Sequence, residues 1–204
     1  MKTLIAIPAM EQMHSLTVQC LANLRQIGET RTDFIVRMPV DMARNNFARR
    51  ACEEGFTHIL WIDSDMMFEP DLMERLAADL EAGYDIVTGL YFKRKLPPEP
   101  VIYKNLDYGH GTSEIYFDYP QNALFPVAGC GFGGLMMKTE VAADTEEPPF
   151  DLIPGYSEDL SFCIRMAEKN RKIGCDSRIK LGHLGTIIFS EKLYRHPNGG
   201  DTMK

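Results

Sequence analysis

The sequence has no apolar run long enough to cross a membrane, and the apolar stretch that follows Met1 stops at Pro8, too short for a secretory leader. We therefore expect no transmembrane segment, and action from the aqueous phase even if the substrate is lipid-linked. A basic excess is also missing: 22 Lys and Arg stand against 29 Asp and Glu, a formal charge of -7. Nucleic acid would meet net repulsion, so no nucleic-acid partner is expected. The short basic clusters Arg44, Arg49, Arg50 and Lys93, Arg94, Lys95 suit a few phosphates or only solvation. Cysteine is scarce, five residues without a CxxC spacing. That argues against a disulfide framework and for reduced, mostly buried thiols, as in a cytoplasmic protein; a zinc site from scattered Cys and His is the minor alternative. Repeats, low-complexity tracts and linkers are absent, and 204 residues suit one domain.

What the sequence does have is alternation. Residues 3–8, 33–38, 58–62 and 85–92 read as strands. Residues 14–27, 42–54 and 70–82 carry apolar positions at helical spacing, with Pro70 suited to a first turn and Gly83 to a stop. Strand and helix in turn predict an α/β fold with a mostly parallel central sheet flanked by helices. The second half is less regular. Residues 95–126 are rich in proline and tyrosine and read as loops and short strands; a glycine run at 127–134, an apolar run at 135–137 and an acidic, proline-containing loop at 144–156 follow. A helix is expected over 157–170, a last strand over 176–184, and a polar tail from about 186.

Ligands of such sheets bind beyond the carboxyl ends of the strands. Asp63-Ser64-Asp65 stands at the end of the Trp-containing strand, where two carboxylates two residues apart can turn toward one Mg²⁺ or Mn²⁺; the alternative is one helix cap and one solvated acid. Ser157-Glu158-Asp159 opens the late helix. Acids there satisfy the helix dipole, or one of them faces a cleft as a general base. His183 between two glycines is either a metal ligand or an ordinary half-buried histidine. Arg44, near a helix start, could meet a diphosphate or form a salt bridge. Gly129-Cys130-Gly131-Phe132-Gly133-Gly134 lies too late in the chain, and leads into a strand, to be a dinucleotide fingerprint. It reads as a place where a sugar approaches the backbone, or as a turn.

In chain order, five pieces resemble the GT-A class of glycosyltransferases, particularly the family 2-like enzymes. They are a first strand ending in Ile7-Pro8-Ala9, the Ala43-Arg44-Asn45 segment, the strand closed by Asp63-Ser64-Asp65, the glycine run before Leu135-Met136-Met137, and Glu158-Asp159-Leu160 with Arg165 on the same helix. His183 completes the pattern, and the resemblance covers roughly residues 3–185. It implies a single catalytic domain with an acceptor side at about 95–156. Its donor would be a nucleotide-diphospho-sugar, UDP-linked by class frequency, and its acceptor a sugar, lipid-linked or protein hydroxyl. Pro8, Ala9, Arg44, Asp63 and Ser64 would line the donor pocket, and Asp65, with Asp63 and His183, would hold Mn²⁺ or Mg²⁺. Asp159, beside Glu158, would be the base of an inverting reaction. One departure stands out: the acidic residue usual after the second strand is replaced by Arg37-Met38-Pro39-Val40, with Asp41 as a substitute. The loop at 144–156 and the tail are candidate lids. The competing readings are a non-catalytic binding module, a retaining enzyme and a nucleotidyltransferase; the last lacks its Gly-rich basic loop at residues 8–14.

Overall fold

The structure is a computed structural model and describes residues 1–145, 148–185 and 190–191. The expected tail, apart from residues 190–191, and part of the 144–156 loop thus lie outside the described residues. In chain order the elements are β1 (Lys2–Ala9), α1 (Ser15–Asn23), β2 (Glu29–Val36), α2 (Val40–Glu53), β3 (His58–Ile62), β4 (Met66–Met67), α3 (Leu72–Glu81) and β5 (Ile86–Leu90). They continue with β6 (Ile102–Asp107), β7 (Thr112–Ile115), β8 (Leu124–Pro126), β9 (Gly129–Cys130), β10 (Gly134–Lys138), α4 (Thr139–Ala143), α5 (Glu158–Glu168), β11 (Ile173–Lys180) and β12 (Gly182–His183).

The main sheet runs β2-β1-β3-β10-β5-β11-β8. β2, β1 and β3 are mutually parallel, β5 and β11 likewise, and β10 and β8 run against their neighbours. The central strands are buried on both faces, which is why they read as unbroken apolar runs. Their period of two divides the core. Leu4, Ala6, Ile59 and Trp61 face one cluster with Phe47, Phe132, Phe150 and Phe162. Ile5, Ile7, Leu60 and Ile62 face the other, with Leu72, Leu76 and Leu80 of α3. Helices therefore cover both faces, and each aromatic edge contact, such as Phe150 against Trp61 at 5.4 Å, adds roughly 0.5–1.5 kcal/mol beyond its buried area.

Boundaries differ from the sequence reading for definable reasons. β2 starts at Glu29, ahead of the expected 33, because an edge strand tolerates Glu29-Thr30-Arg31-Thr32 on its open side. It stops when Arg37 takes a left-handed φ of 59° and its N–H donates to the carbonyls of both Ala9 and Met10. α1 ends at Asn23 rather than 27, as the Arg25 N–H leaves the helix for the carbonyl of Pro70. Pro70 itself precedes α3. The expected last strand is two: β11 shifts register after Asp176, and the chain then crosses to pair β12 with β4. A third sheet, β7-β6-β9, packs with α5 over residues 102–130.

Candidate active site

The odd-numbered residues of β3 face the α2 and α5 side, and Asp63 continues that parity. On that side α2 buries Ala43, Arg44, Phe47, Ala48 and Ala51, so its apolar stripe carries a guanidinium at the end nearest the carboxyl ends of the strands. Arg44 is 2% exposed, with Nη2 3.0 Å from Asp63 Oδ1 and Nε 3.2 Å from Glu158 Oε1. Its flat face lies over Trp61 and Phe132, while Nη1 is buried with no hydrogen-bond partner among the described residues. Burial opposes the charge, but Asp63, Glu158 and Asp159 outweigh it and raise the pKa above its ordinary value. Arg44 is thus a buried bridge joining β3 to α5. It is not the surface salt bridge weighed from sequence, and its fork is already engaged with protein carboxylates.

The turn after Asp63 is fastened on three sides. Asp63 N–H donates to Gly133 O, His14 N–H to Ser64 O, and Leu184 N–H to Asp65 O. The last bond extends the β4–β12 pairing, in which His183 stands opposite Met66, and so sets Asp65 beside His183. His183 Nδ1 lies 3.0 Å from Phe92 O. A carbonyl only accepts, so Nδ1 carries the proton, and in the neutral ring Nε2 presents its lone pair. Nε2 is 3.5 Å from Asp65 Oδ2, and the same oxygen receives Arg94 Nη1 at 2.7 Å. Burial pushes the Asp65 pKa up, yet hydrogen bonding and charge from His183 in its doubly protonated form, with Arg94, bring it below the usual carboxylate value.

At the N-terminus of α5, Ser157 is the N-cap residue but does not cap with its side chain. Its hydroxyl instead donates to Asp159 Oδ1, which also accepts from the Leu160 N–H at 2.8 Å. Oδ2 forms no hydrogen bond among the described residues. Burial and the charge of Glu158 push the Asp159 pKa up to about 6, against the pull of Ser157, Arg44 and the Leu160 N–H.

These groups open on one cleft of about 500 Å³, lined by Pro8, Ala9, Arg44, Asp63, Ser64, Asp65, Glu158, Asp159 and His183 together with Met10, Met38, Val40, Tyr91, Lys93, Arg94 and Val101. The nine residues expected at the donor, metal and catalytic positions thus line one space. The proposed three-ligand cation set is not gathered: Asp63 turns to Arg44, and no group of three His, Cys, Asp or Glu side chains placed to hold a metal occurs among the described residues. Asp41 does not line the cleft.

The glycine run does not serve sugar approach. Protein side chains already fill the space, since a Cβ at Gly131 would lie 2.0 Å from the Tyr91 hydroxyl and one at Gly134 2.4 Å from Leu181 Cδ1. Nor is the stretch at 148–153 a free lid. Phe150 is fully buried and stacks on Phe162 at 4.6 Å, and Asn45 bonds both the Phe150 N–H and the Asp151 carboxylate.

Tyr91 was missed from sequence. It receives the Gly133 N–H at 3.2 Å. Burial, with the charges of Asp63 and Asp159, pushes its hydroxyl well above the ordinary value, so it stays neutral at the cleft wall. Met10 and Val101 were also missed, and no pattern marks them; Met38 and Val40 belong to the segment after the second strand where the resemblance sets an acidic residue. Arg94 was visible only as one member of a basic triplet.

The architecture is that of the GT-A fold: a large, mostly parallel sheet with helices on both faces, and a cleft at its carboxyl edge. Among solved structures, the A197 protein from STIV superposes with a TM-score of 0.70 over 91% of this chain and 86% of its own, at 20% identity. GalNAc-T7, solved with UDP, GalNAc and Mn²⁺, superposes with a TM-score of 0.58 over 90% of this chain and 43% of its own, at 7% identity. This chain thus spans under half the length of GalNAc-T7. Likeness at such identities establishes the fold and leaves the activity to the site. No family model matches the sequence, and no curated protein matches it. Among the described residues no helix is long and apolar enough to cross a membrane.

Proposed function

We propose that the chain is a metal-dependent glycosyltransferase, a single catalytic domain that moves a sugar from a nucleotide-diphospho-sugar to an acceptor hydroxyl with inversion. The observation that carries this reading is the convergence on one cleft of a carboxylate with an unengaged oxygen, Asp159, and the Asp65–His183 pair. A UDP-linked donor is favoured, since GalNAc-T7, of the same fold, was solved with UDP.

The residues present fit a divalent cation. His183 is oriented through Nδ1 by a backbone carbonyl, the arrangement usual for a metal-ligating histidine. Its Nε2 lone pair and Asp65 Oδ2 are two acceptors facing each other at 3.5 Å, a pair that a proton or a cation completes. One or two protein ligands with phosphate oxygens are the usual requirement of Mg²⁺ and Mn²⁺, so Asp65 and His183 suffice without Asp63. When bound, the ion supplies Lewis-acid stabilisation of the departing diphosphate.

The chain's own residues do the rest. Pro8, Ala9, Ser64 and the apolar Met10, Met38 and Val40 wall the donor. Arg44 fixes Asp63 and Glu158, which holds the start of α5 against the end of β3. Asp159 Oδ1 is engaged by Ser157 and the Leu160 N–H, which leaves Oδ2 to take the proton of the attacking hydroxyl. Burial, and after it the neighbouring Glu158, raise the basicity of Asp159 while leaving it mostly ionised at pH 7. The β6–β7–β9 sheet forms the acceptor side. A mass-spectrometric assay of donor turnover on an acceptor panel tests the reading. Sugar transfer or donor hydrolysis is expected; donor binding with no turnover on any acceptor would instead indicate a binding module.

A further inference from the structure

We propose that Arg94 is a diphosphate-binding residue held on Asp65 until the donor arrives, where its guanidinium takes the place of the divalent cation. The proposal rests on the reading of the cleft given above. Arg94 Nη1 bonds Asp65 Oδ2 at 2.7 Å and the carbonyl of Leu184 at 3.3 Å. It therefore ties the turn after β3 to the end of β12, the two pieces that bring Asp65 and His183 together. The oxygen it occupies is the one His183 Nε2 approaches.

A cation shared by Asp65 and His183 must displace one neighbour of that oxygen, and the two differ in how firmly they are held. His183 is fixed through Nδ1 on Phe92 O and packs edge-on against the Tyr91 ring at 5.7 Å. Arg94 is a long side chain that remains half exposed. Its sequence neighbours are engaged elsewhere, Lys93 and Lys95 both pairing with Glu99. Arg94 is thus the cation of this segment that is bound to a cleft carboxylate and able to leave it. Released, its planar fork of N–H donors matches paired phosphate oxygens, which arrive with the ion. The exchange leaves Asp65 with a cationic partner throughout, and the arriving diphosphate offsets the charge that the ion adds.

The device predicts effects of opposite sign. Arg94→Gln keeps a donor for Leu184 O and removes the competitor. Titration of MnCl₂ alone, followed by the electron paramagnetic resonance signal of free Mn²⁺, is expected to show about two- to fivefold tighter binding, the size of a half-exposed ion pair. UDP binding at saturating Mn²⁺, measured by calorimetry, is expected to weaken about fivefold or more, as a charge-assisted pair of bonds is lost. Arg94→Lys, which keeps the charge, should bind Mn²⁺ as the parent does. Lys95→Gln removes an equal charge that neither touches Asp65 nor lines the cleft and should leave Mn²⁺ affinity near the parent value. Unchanged or weaker Mn²⁺ binding in Arg94→Gln, equal tightening in Lys95→Gln, or undiminished UDP binding would each overturn the inference. Absence of Mn²⁺ and UDP binding in the parent itself would overturn the cleft reading, and the inference with it.

Discussion

Two carboxylate pairs in this protein are built from the same parts and face different surroundings. In the cleft, Arg44 bridges Asp63 and Glu158, and Asp159 beside them is pushed up to about 6 by burial and by Glu158. Away from it, Arg178 bridges Asp79 of α3 and Asp176 of β11, and Asp79 is likewise pushed up to about 6 by burial and by the charge of Asp176. The arginines are unlike: Arg44 is buried against Trp61 and Phe132, whereas Arg178 stands 48% exposed. The carboxylates differ too. Asp159 lines the cleft that Asp65 and His183 also line, and Asp79 and Asp176 do not line it. A raised carboxylate pKa is therefore a sign of function only where the group opens on a cavity furnished with complementary chemistry. Elsewhere it records the stability cost of a crowded interior.

The sharpest way to separate the pairs is to neutralise one member of each. Asp159→Asn is expected to lose roughly a hundred- to ten-thousand-fold in turnover, the usual contribution of a positioned base, with donor affinity retained in calorimetry. Residual transfer within threefold of the parent would remove Asp159 from that role. The arginines come next. Arg44→Met leaves the half-buried Asp63 and Glu158 without their partner, and Arg178→Met leaves the more deeply buried Asp79 and Asp176 without theirs. Each is expected to destabilise by about 1.5–3 kcal/mol, Arg178→Met less at pH 5, where Asp79 takes up a proton. An unchanged denaturation midpoint in either variant would show that its bridge carries no stability.

The pH dependence sharpens the comparison further. A base with a folded pKa of about 6 works only when deprotonated, so kcat is expected to rise with pH through 6 and level off above 7. A profile flat from pH 5 to 8 would speak against it. The smallest effect belongs to Asp79. Its folded pKa lies above the ordinary carboxylate value, so the stability it contributes is complete at pH 4 and below and is lost as pH rises through 6. Asp79→Asn, permanently neutral, should therefore raise Tm by about 2–6 °C at pH 8, change it little at pH 5, and leave turnover unaltered. A loss of turnover in that variant would mean that the two pairs are coupled.

Much of this was legible in the chain. His58-Ile59-Leu60-Trp61-Ile62 announced a buried strand, and the acids that close it could only emerge at the carboxyl edge of the sheet. What failed to show follows from tertiary contacts. β2 begins among polar residues because one of its sides is open. β4 and β12, two residues each, are too short to carry a period, yet they set Asp65 beside His183. The glycines at 131 and 134 looked like an opening for ligand because the side chains that fill them, Tyr91 and Leu181, lie 40 and 47 residues away in sequence. Arg44 occupies a position in an apolar stripe that periodicity would have given to a hydrophobe, and only the pairing of α2 with β3 and α5 explains the charge there.

The central claim is that the carboxyl edge of the sheet binds a nucleoside diphosphate through a cation held by Asp65 and His183. Calorimetric titration of UDP and GDP with and without Mn²⁺, on the parent and on Asp65→Ala, tests it most directly. The account predicts binding of at least one of the two that requires Mn²⁺ and weakens tenfold or more in Asp65→Ala. Binding of neither nucleotide to the parent, or undiminished Mn²⁺-dependent binding in the variant, would contradict it.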